Sequence, residues 1–284
     1  MSAKGRLERE YLRSQHEGSP VSGTARLARG LLPKLLYAAI VIALWQTAIV
    51  VLELKEFLVP SPLAVFNALF SPETAAQYQW WTHIATTLGE ILAAFVFTAV
   101  FGFVLALLIT WSDIVRGIAM PVIAVFNSLP KIALAPLFLI WFGYGFTANV
   151  TIAILVAFFP VVLNTTTGLD DVDEDLLDLV RYLHASKLQV FLKIRIPMSL
   201  PYVVSGLKIS ATLSVVGAIV GEFVASSQGL GFLIKDSQAM MNTPPMFASL
   251  ILISCIGLGL FAAIAALERI FMPWNRSPAE EGSR

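Results

Sequence analysis

The chain has 284 residues, 57% hydrophobic and only 13% charged, whereas soluble domains carry about 45–50% apolar and roughly 25% charged residues. Too little polar surface remains to cover a water-soluble globule. A formal net charge of zero gives no bulk attraction to nucleic acid, and the single Cys255 excludes an intramolecular disulfide or a Cys-rich metal site.

Lipid holds no water to satisfy backbone N–H and C=O groups, so a spanning segment is a helix or part of a closed barrel. A helix crosses roughly 30 Å of hydrocarbon with about 20 apolar residues. Runs of that kind lie at 35–52, 84–110, 118–141, 148–167, 203–224 and 248–271. They lack the alternating pattern of barrel strands. The expectation is an all-α integral membrane protein with about six transmembrane helices.

Residues 1–34 are rich in charge, Gly and Ser in their first thirty positions and are expected to form a flexible tail. The first run exceeds the roughly 7–15 residues of a signal-peptide core, and no A-x-A site follows it, so it reads as an anchor. Between 53 and 81, Val-Pro-Ser-Pro (59–62) opens a short amphipathic helix through Val65, Phe66 and Leu69. Trp80 and Trp81 stand where the chain re-enters the membrane, a usual place for interfacial aromatics.

The second run carries Glu90. The third carries Pro121, Pro130 and Pro136, which must interrupt its hydrogen-bond ladder. Such a helix persists where protein or a water-lined cavity satisfies the freed carbonyls. Asn127, Ser128 and Lys131 lie at this interruption and are candidates for a pathway or gate. The plainer reading of Lys131 is a charge that snorkels or pairs near a span end.

The stretch 168–202 is the one sizeable polar segment between runs. Asp173, Glu174 and Asp175 suit a helix N-terminus, and Leu176, Leu177, Val180 and Leu183 follow at helical spacing. Ser186 caps a second helix carrying Leu188, Phe191, Leu192 and Ile194, with Pro197 expected to stop it. Two short helices with apolar faces outside the membrane need a covering partner. A lipid surface is the bland alternative, but Asp170, Asp171, Asp173, Glu174, Asp175 and Asp178 would be repelled by anionic headgroups.

In the fifth run Gly206, Ser210, Ser214, Ala218 and Glu222 recur every four residues, and Gly217 and Gly221 add a G-x-x-x-G spacing. Close helix packing is the default reading of such a stripe. A border on a pathway is the second, which makes Ser210, Ser214 and Glu222 candidates. For Glu222 a structural role is the expectation.

Lys and Arg set the orientation. Lys4, Arg6, Arg9, Arg13, Arg26, Arg29 and Lys34 precede the first run, and Arg116, Arg181, Lys187, Lys193, Arg195, Lys208, Arg269, Arg276 and Arg284 fall on the same side. The opposite loops hold only Lys55 and Lys235. The positive-inside rule places both termini in the cytoplasm. The expected organisation is a tail at 1–34, a transmembrane domain at 35–271 with a cytoplasmic loop at 168–202, and a tail at 272–284.

The loop resembles the cytoplasmic signature of permease subunits in binding-protein-dependent ATP-binding-cassette importers: Glu-Ala-Ala, three residues, Gly, nine residues, Ile-x-Leu-Pro. Here Asp178-Leu179-Val180, His184 and Ile194-Arg195-Ile196-Pro197 keep that spacing, with His184 in place of Gly. Asn-Ser-Leu-Pro-Lys-Ile-Ala-Leu-Ala-Pro-Leu (127–137), Trp-Phe-Gly-Tyr-Gly (141–145), Gly-Glu-Phe-Val (221–224) and Gly-Leu-Gly-Phe-Leu-Ile (229–234) are similar to the nitrate, sulfonate, taurine and thiamine-precursor permeases. In that family Glu90 stands where a basic residue is common.

The resemblance implies a type I importer permease (MetI-like) fold in a bacterial cytoplasmic membrane. It implies two ATPase subunits docked on the loop, with Asp178, Leu179, Val180, Leu183, His184, Ile194, Ile196 and Pro197 as coupling residues. It further implies a second permease copy, an external substrate-binding protein and membrane lipid as partners. The run 211–224 looks closer to permeases for heteroaromatic vitamin precursors, such as the thiamine pyrimidine or riboflavin, than to those for sulfonates or nitrate.

No Walker A, H-E-x-x-H or G-x-S-x-G pattern occurs, and His16, His83 and His184 have no metal-ligand spacing. The sequence therefore predicts no catalytic residue, no metal and no cofactor. An ion-coupled secondary transporter is the alternative, and it would call for inverted repeats and carboxylates near the bilayer midplane.

Overall fold

A computed structural model describes residues 23–272. The chain divides into two units, residues 1–62 and 63–284. In the first, α1 (Gly23–Val51) is apolar over Leu36–Val51. It starts upstream of the predicted run, so residues 23–34, expected in the tail, are helical. The rest of the predicted N-terminal tail and nearly all of the C-terminal one lie outside the described residues.

The second unit opens with α2 (Pro62–Phe70) and α3 (Pro72–Tyr78). The prolines suit these positions because a first-turn N–H has no helical partner to lose. Val65 and Ala68 form the buried face of α2, while Phe66, expected on that face, points outward. The long helix α4 (Trp80–Trp111) follows. Buried Trp80 donates from Nε1 to the Ala68 carbonyl at 3.1 Å, whereas Trp81 is 82% exposed. The two adjacent tryptophans thus divide, one locking α2 and one facing outward.

The third apolar run is not a straight crossing. It forms α5 (Asp113–Ser128), a 3₁₀ turn (Lys131–Leu134) and α6 (Ala135–Phe142), with an 83° bend between the two arms. Ser112 caps α5. The bend has a local cause: proline drives the residue before it out of the helical region, and Leu129 is extended at φ −71° and ψ 142°. Of the three prolines expected to interrupt this run, Pro121 remains inside α5 and Pro136 sits in the first turn of α6. Only Pro130 marks the break.

α7 (Phe146–Asp170) runs through the middle of the unit, packed along α4 and along α10 (Ile196–Ala225). One buried cluster joins Ile91 and Ala94 of α4, Ala153 of α7, and Val215 and Ala218 of α10. A second joins Ala106 and Ile109 of α4, Ile123 of α5, and Phe159 and Val162 of α7. The glycine stripe of α10 makes the α7–α10 contact close. A Cβ at Gly217 would stand 2.5 Å from Ala153 Cα, and one at Gly221 2.7 Å from Asn149 Cα. Only a hydrogen fits there.

Between α7 and α10 lie α8 (Glu174–Tyr182), α9 (Lys187–Val190) and a π-helical turn (Phe191–Arg195). After α10 come α11 (Leu230–Ala239) and α12 (Thr243–Phe271). Among the described residues, four helices are long and apolar enough to cross a membrane: α4, α7, the rod Lys187–Val224 and α12. The bent α5–α6 pair brings the number to five if it is counted as one span.

Candidate functional site

The 168–202 segment is built by local capping. Asp173 accepts from the Asp175 N–H and starts α8. Ser186 and Gln189 form a reciprocal capping box that starts α9. α8 ends in a Schellman motif, with the His184 N–H bonded to Arg181 O and the Ala185 N–H to Val180 O, both at 3.0 Å. The motif demands a left-handed residue, and His184 supplies it at φ +56°. This is the position at which the signature that the loop resembles carries glycine, and the turn forms with His184 in its place.

Pro197 does not stop the second helix. The π turn lets the Ile196 N–H reach back to Phe191 O. The altered register of such a turn carries the helix past Pro197 into α10. What was expected as a separate second helix is therefore the leading end of the α10 rod.

The loop is clamped to the helix ends behind it. Arg116 of α5 makes a two-pronged ion pair with Asp170 at 2.7 and 2.8 Å, and Arg195 reaches the same carboxylate at 3.7 Å and Leu169 O at 3.2 Å. Lys187 donates to Trp111 O at 2.8 Å and lies 5.0 Å from that indole ring, which packs edge-on against Phe191. Tyr202 donates to Asp171. Ends of α4, α5, α7 and α10 thus converge on one segment, around a cleft of about 560 Å³. Sequence reading missed this clamp, because no local pattern joins Arg116 to Asp170.

The apolar side chains of α8 divide between two directions. Leu177 and Val180 turn into the cleft, and Leu179, Tyr182 and Leu183 project outward at 54%, 81% and 66% exposure. Val180, grouped with the coupling residues, belongs to the inner set. Asp178 is exposed and pairs with Arg181 at 2.7 Å. Ile194 and Ile196 are half-buried, and Pro197 is exposed.

The six pathway candidates fall into two groups. Asn127 and Ser128 are exposed beside the bend. Lys131 donates to Asn127 O and Oδ1 at 3.1 and 2.9 Å, and lies 4.8 Å from the Phe159 ring. Ser210, Ser214 and Glu222 have no exposed surface. Ser210 meets Thr98 across the α4–α10 contact at 3.1 Å. These three lie in the packed contacts between helices.

Glu222 organises the opposite end of the unit. Its Oε1 accepts from the Thr87 hydroxyl and its Oε2 from the Gly231 N–H, each at 2.5 Å. A carboxylate at the α11 N-terminus satisfies unpaired N–H groups and the helix dipole together. Gly229, at φ +108°, admits this approach, because a Cβ there would overlap the carboxylate. Thr87 in turn accepts from the Leu230 N–H at 2.8 Å.

A family model described as "Binding-protein-dependent transport system inner membrane component" matches residues 99–272. A probable ABC transporter permease protein of Haemophilus influenzae is 35% identical over 245 residues, covering 86% of this chain and 98% of the relative. The formylaminopyrimidine transport permease protein ThiX of Halalkalibacterium halodurans is 32% identical, covering 78% of this chain and 88% of the relative. Among solved structures, the MetNI methionine ABC transporter in an inward-facing conformation aligns at a TM-score of 0.53 and 18% identity. That alignment covers 66% of this chain and 97% of the solved one.

Proposed function

Since the chain belongs to the family of binding-protein-dependent transport system inner membrane components, the permeases of ABC importers, we propose that its 168–202 segment is the element through which separate ATPase subunits drive transport. The observation that carries this reading is the outward row Leu179, Tyr182 and Leu183 on a rigidly capped helix. That row stands over a clamp holding the ends of four helices. A push on α8 would be transmitted through Arg116–Asp170, Arg195–Asp170 and Lys187–Trp111 to the spans. Asp178 and His184 shape the helix end, and Ile194, Ile196 and Pro197 lie on the rod that receives the motion.

The transporter contains two copies of this permease, two ATPase subunits and an external substrate-binding protein. Both termini and the 168–202 loop lie in the cytoplasm, and the α2–α3–α11 end faces outward. Hydrolysis belongs to the ATPase subunits, and this chain alternates access for the cargo. Asn127, Ser128 and Lys131 at the bend border the path. The proposed cargo is a small heteroaromatic vitamin precursor; the formylaminopyrimidine permease relative supports that class over sulfonate- or nitrate-type anions.

Burying a Leu side chain contributes roughly 1.5–3 kcal/mol, and an unpaired charge in a desolvated cleft is costly. Leu183→Asp should therefore abolish ATPase co-purification and transport while membrane protein level stays near normal. A mutant that keeps its ATPase and transports normally would remove α8 from the coupling role.

A further inference from the structure

Glu90 of α4 and Glu222 of α10 have no exposed surface and belong to one buried polar cluster: Thr87, one turn before Glu90, donates to Glu222 at 2.5 Å, and Asn149, which donates to Glu90, packs against Gly221 beside Glu222. Their donors are unequally shared. Glu222 takes the Thr87 hydroxyl and the Gly231 N–H. Glu90 takes one donor, Asn149 Nδ2 on α7, at 2.8 Å to Oε1. Its second oxygen, Oε2, is buried with no partner, as is Asn149 Oδ1.

Two ionised carboxylates side by side in a dry helix interior repel one another and leave an oxygen without a donor. No Lys or Arg pairs with either among the described residues. The other charged groups of the packed elements do not neutralise them. His83 is engaged with the Gly229 backbone at 2.9 Å, and on α11 Lys235 is exposed while Asp236 is acidic. α7 contributes only the neutral Asn149 at this point.

We propose that Glu90 is a proton-binding site: Oε2 carries a proton and donates it to Glu222, which stays ionised as the N-terminal cap of α11. The assignment follows the donors. The carboxyl with a donor on each oxygen keeps the charge, and the one with an empty oxygen holds the proton. The bridge is a charge-assisted hydrogen bond, joining α4, α7, α10 and α11 at one buried point with a single negative charge. The inference concerns the fold and holds whatever the cargo is.

The test is infrared spectroscopy of the purified transporter complex at neutral pH in H₂O and D₂O. The wild type should show a protonated-carboxyl C=O band that shifts on deuteration. Glu90→Gln, whose amide also donates, should remain folded and lose that band. Glu90→Lys, which offers an ammonium group to Glu222, should lose it too and serves where the Gln variant fails to accumulate. Absence of the band in the wild type, or its persistence in either variant, would overturn the proposal. So would a melting temperature that rises with sodium concentration in the wild type but not in Glu90→Gln, since a bound cation would then occupy the pair.

Discussion

At residue scale the turn at His184 is held by two backbone hydrogen bonds but occupied by a side chain that the left-handed region disfavours. For a residue with a Cβ that conformation costs roughly 1–2 kcal/mol, and glycine gives back roughly 0.5–1 kcal/mol through its greater freedom when unfolded. His184→Gly should stabilise the α8 end by about 0.5–1 kcal/mol. His184→Val should weaken it, because a β-branched residue tolerates positive φ poorly. Hydrogen exchange at the residue 184 and 185 amides reads both, slower in the Gly variant and faster in the Val variant. The spacing of the segment made this position legible in the sequence, because a cap is a local event. Glu90 was not legible in the same way. Its partners come from other helices, and even Thr87, one turn before it, finds Glu222 135 residues away.

The elements of the fold were read from apolar runs, and helix is present in each, although the first is apolar only over Leu36–Val51 and the third is broken. The departures come where backbone geometry overrides composition. Pro130 turns a run long enough to cross into two arms at 83°. Pro197, which reads as a terminator, is bypassed by a π turn. Neither outcome shows in hydropathy, since both depend on how the freed carbonyls are satisfied in three dimensions. Ion pairs between elements are hidden for the same reason. Lys208 of α10 and Glu268 of α12 meet at 2.5 Å with about a quarter of each side chain exposed, and Lys208 lies 5.7 Å from the Phe261 ring. Removing one partner leaves a lone charge between apolar helices, whereas replacing both with apolar groups is often neutral. Lys208→Met should lower the melting temperature of the purified transporter, and adding Glu268→Met should restore most of the loss. Equal damage from the single and double variants would mean that the pair does not join the two helices.

At the scale of the molecule, a polar clamp at one end and a buried carboxyl cluster at the other bracket the α4–α7–α10 core. The clamp ties the loop to the helix ends behind it, and the row Leu179, Tyr182 and Leu183 projects outward. In the proposed arrangement an ATPase subunit covers that face on the cytoplasmic side. Cysteine chemistry tests contact and orientation together, in a background where Cys255 is replaced by Ser. In inside-out vesicles carrying the assembled transporter, Leu183→Cys should form a short-spacer cross-link to the ATPase subunit. In intact cells a membrane-impermeant thiol reagent should label Gln77→Cys, on the exposed surface of α3, and leave Leu183→Cys untouched. Cross-linking of Gln77→Cys to the ATPase, or external labelling of Leu183→Cys, would contradict the coupling role of the 168–202 segment.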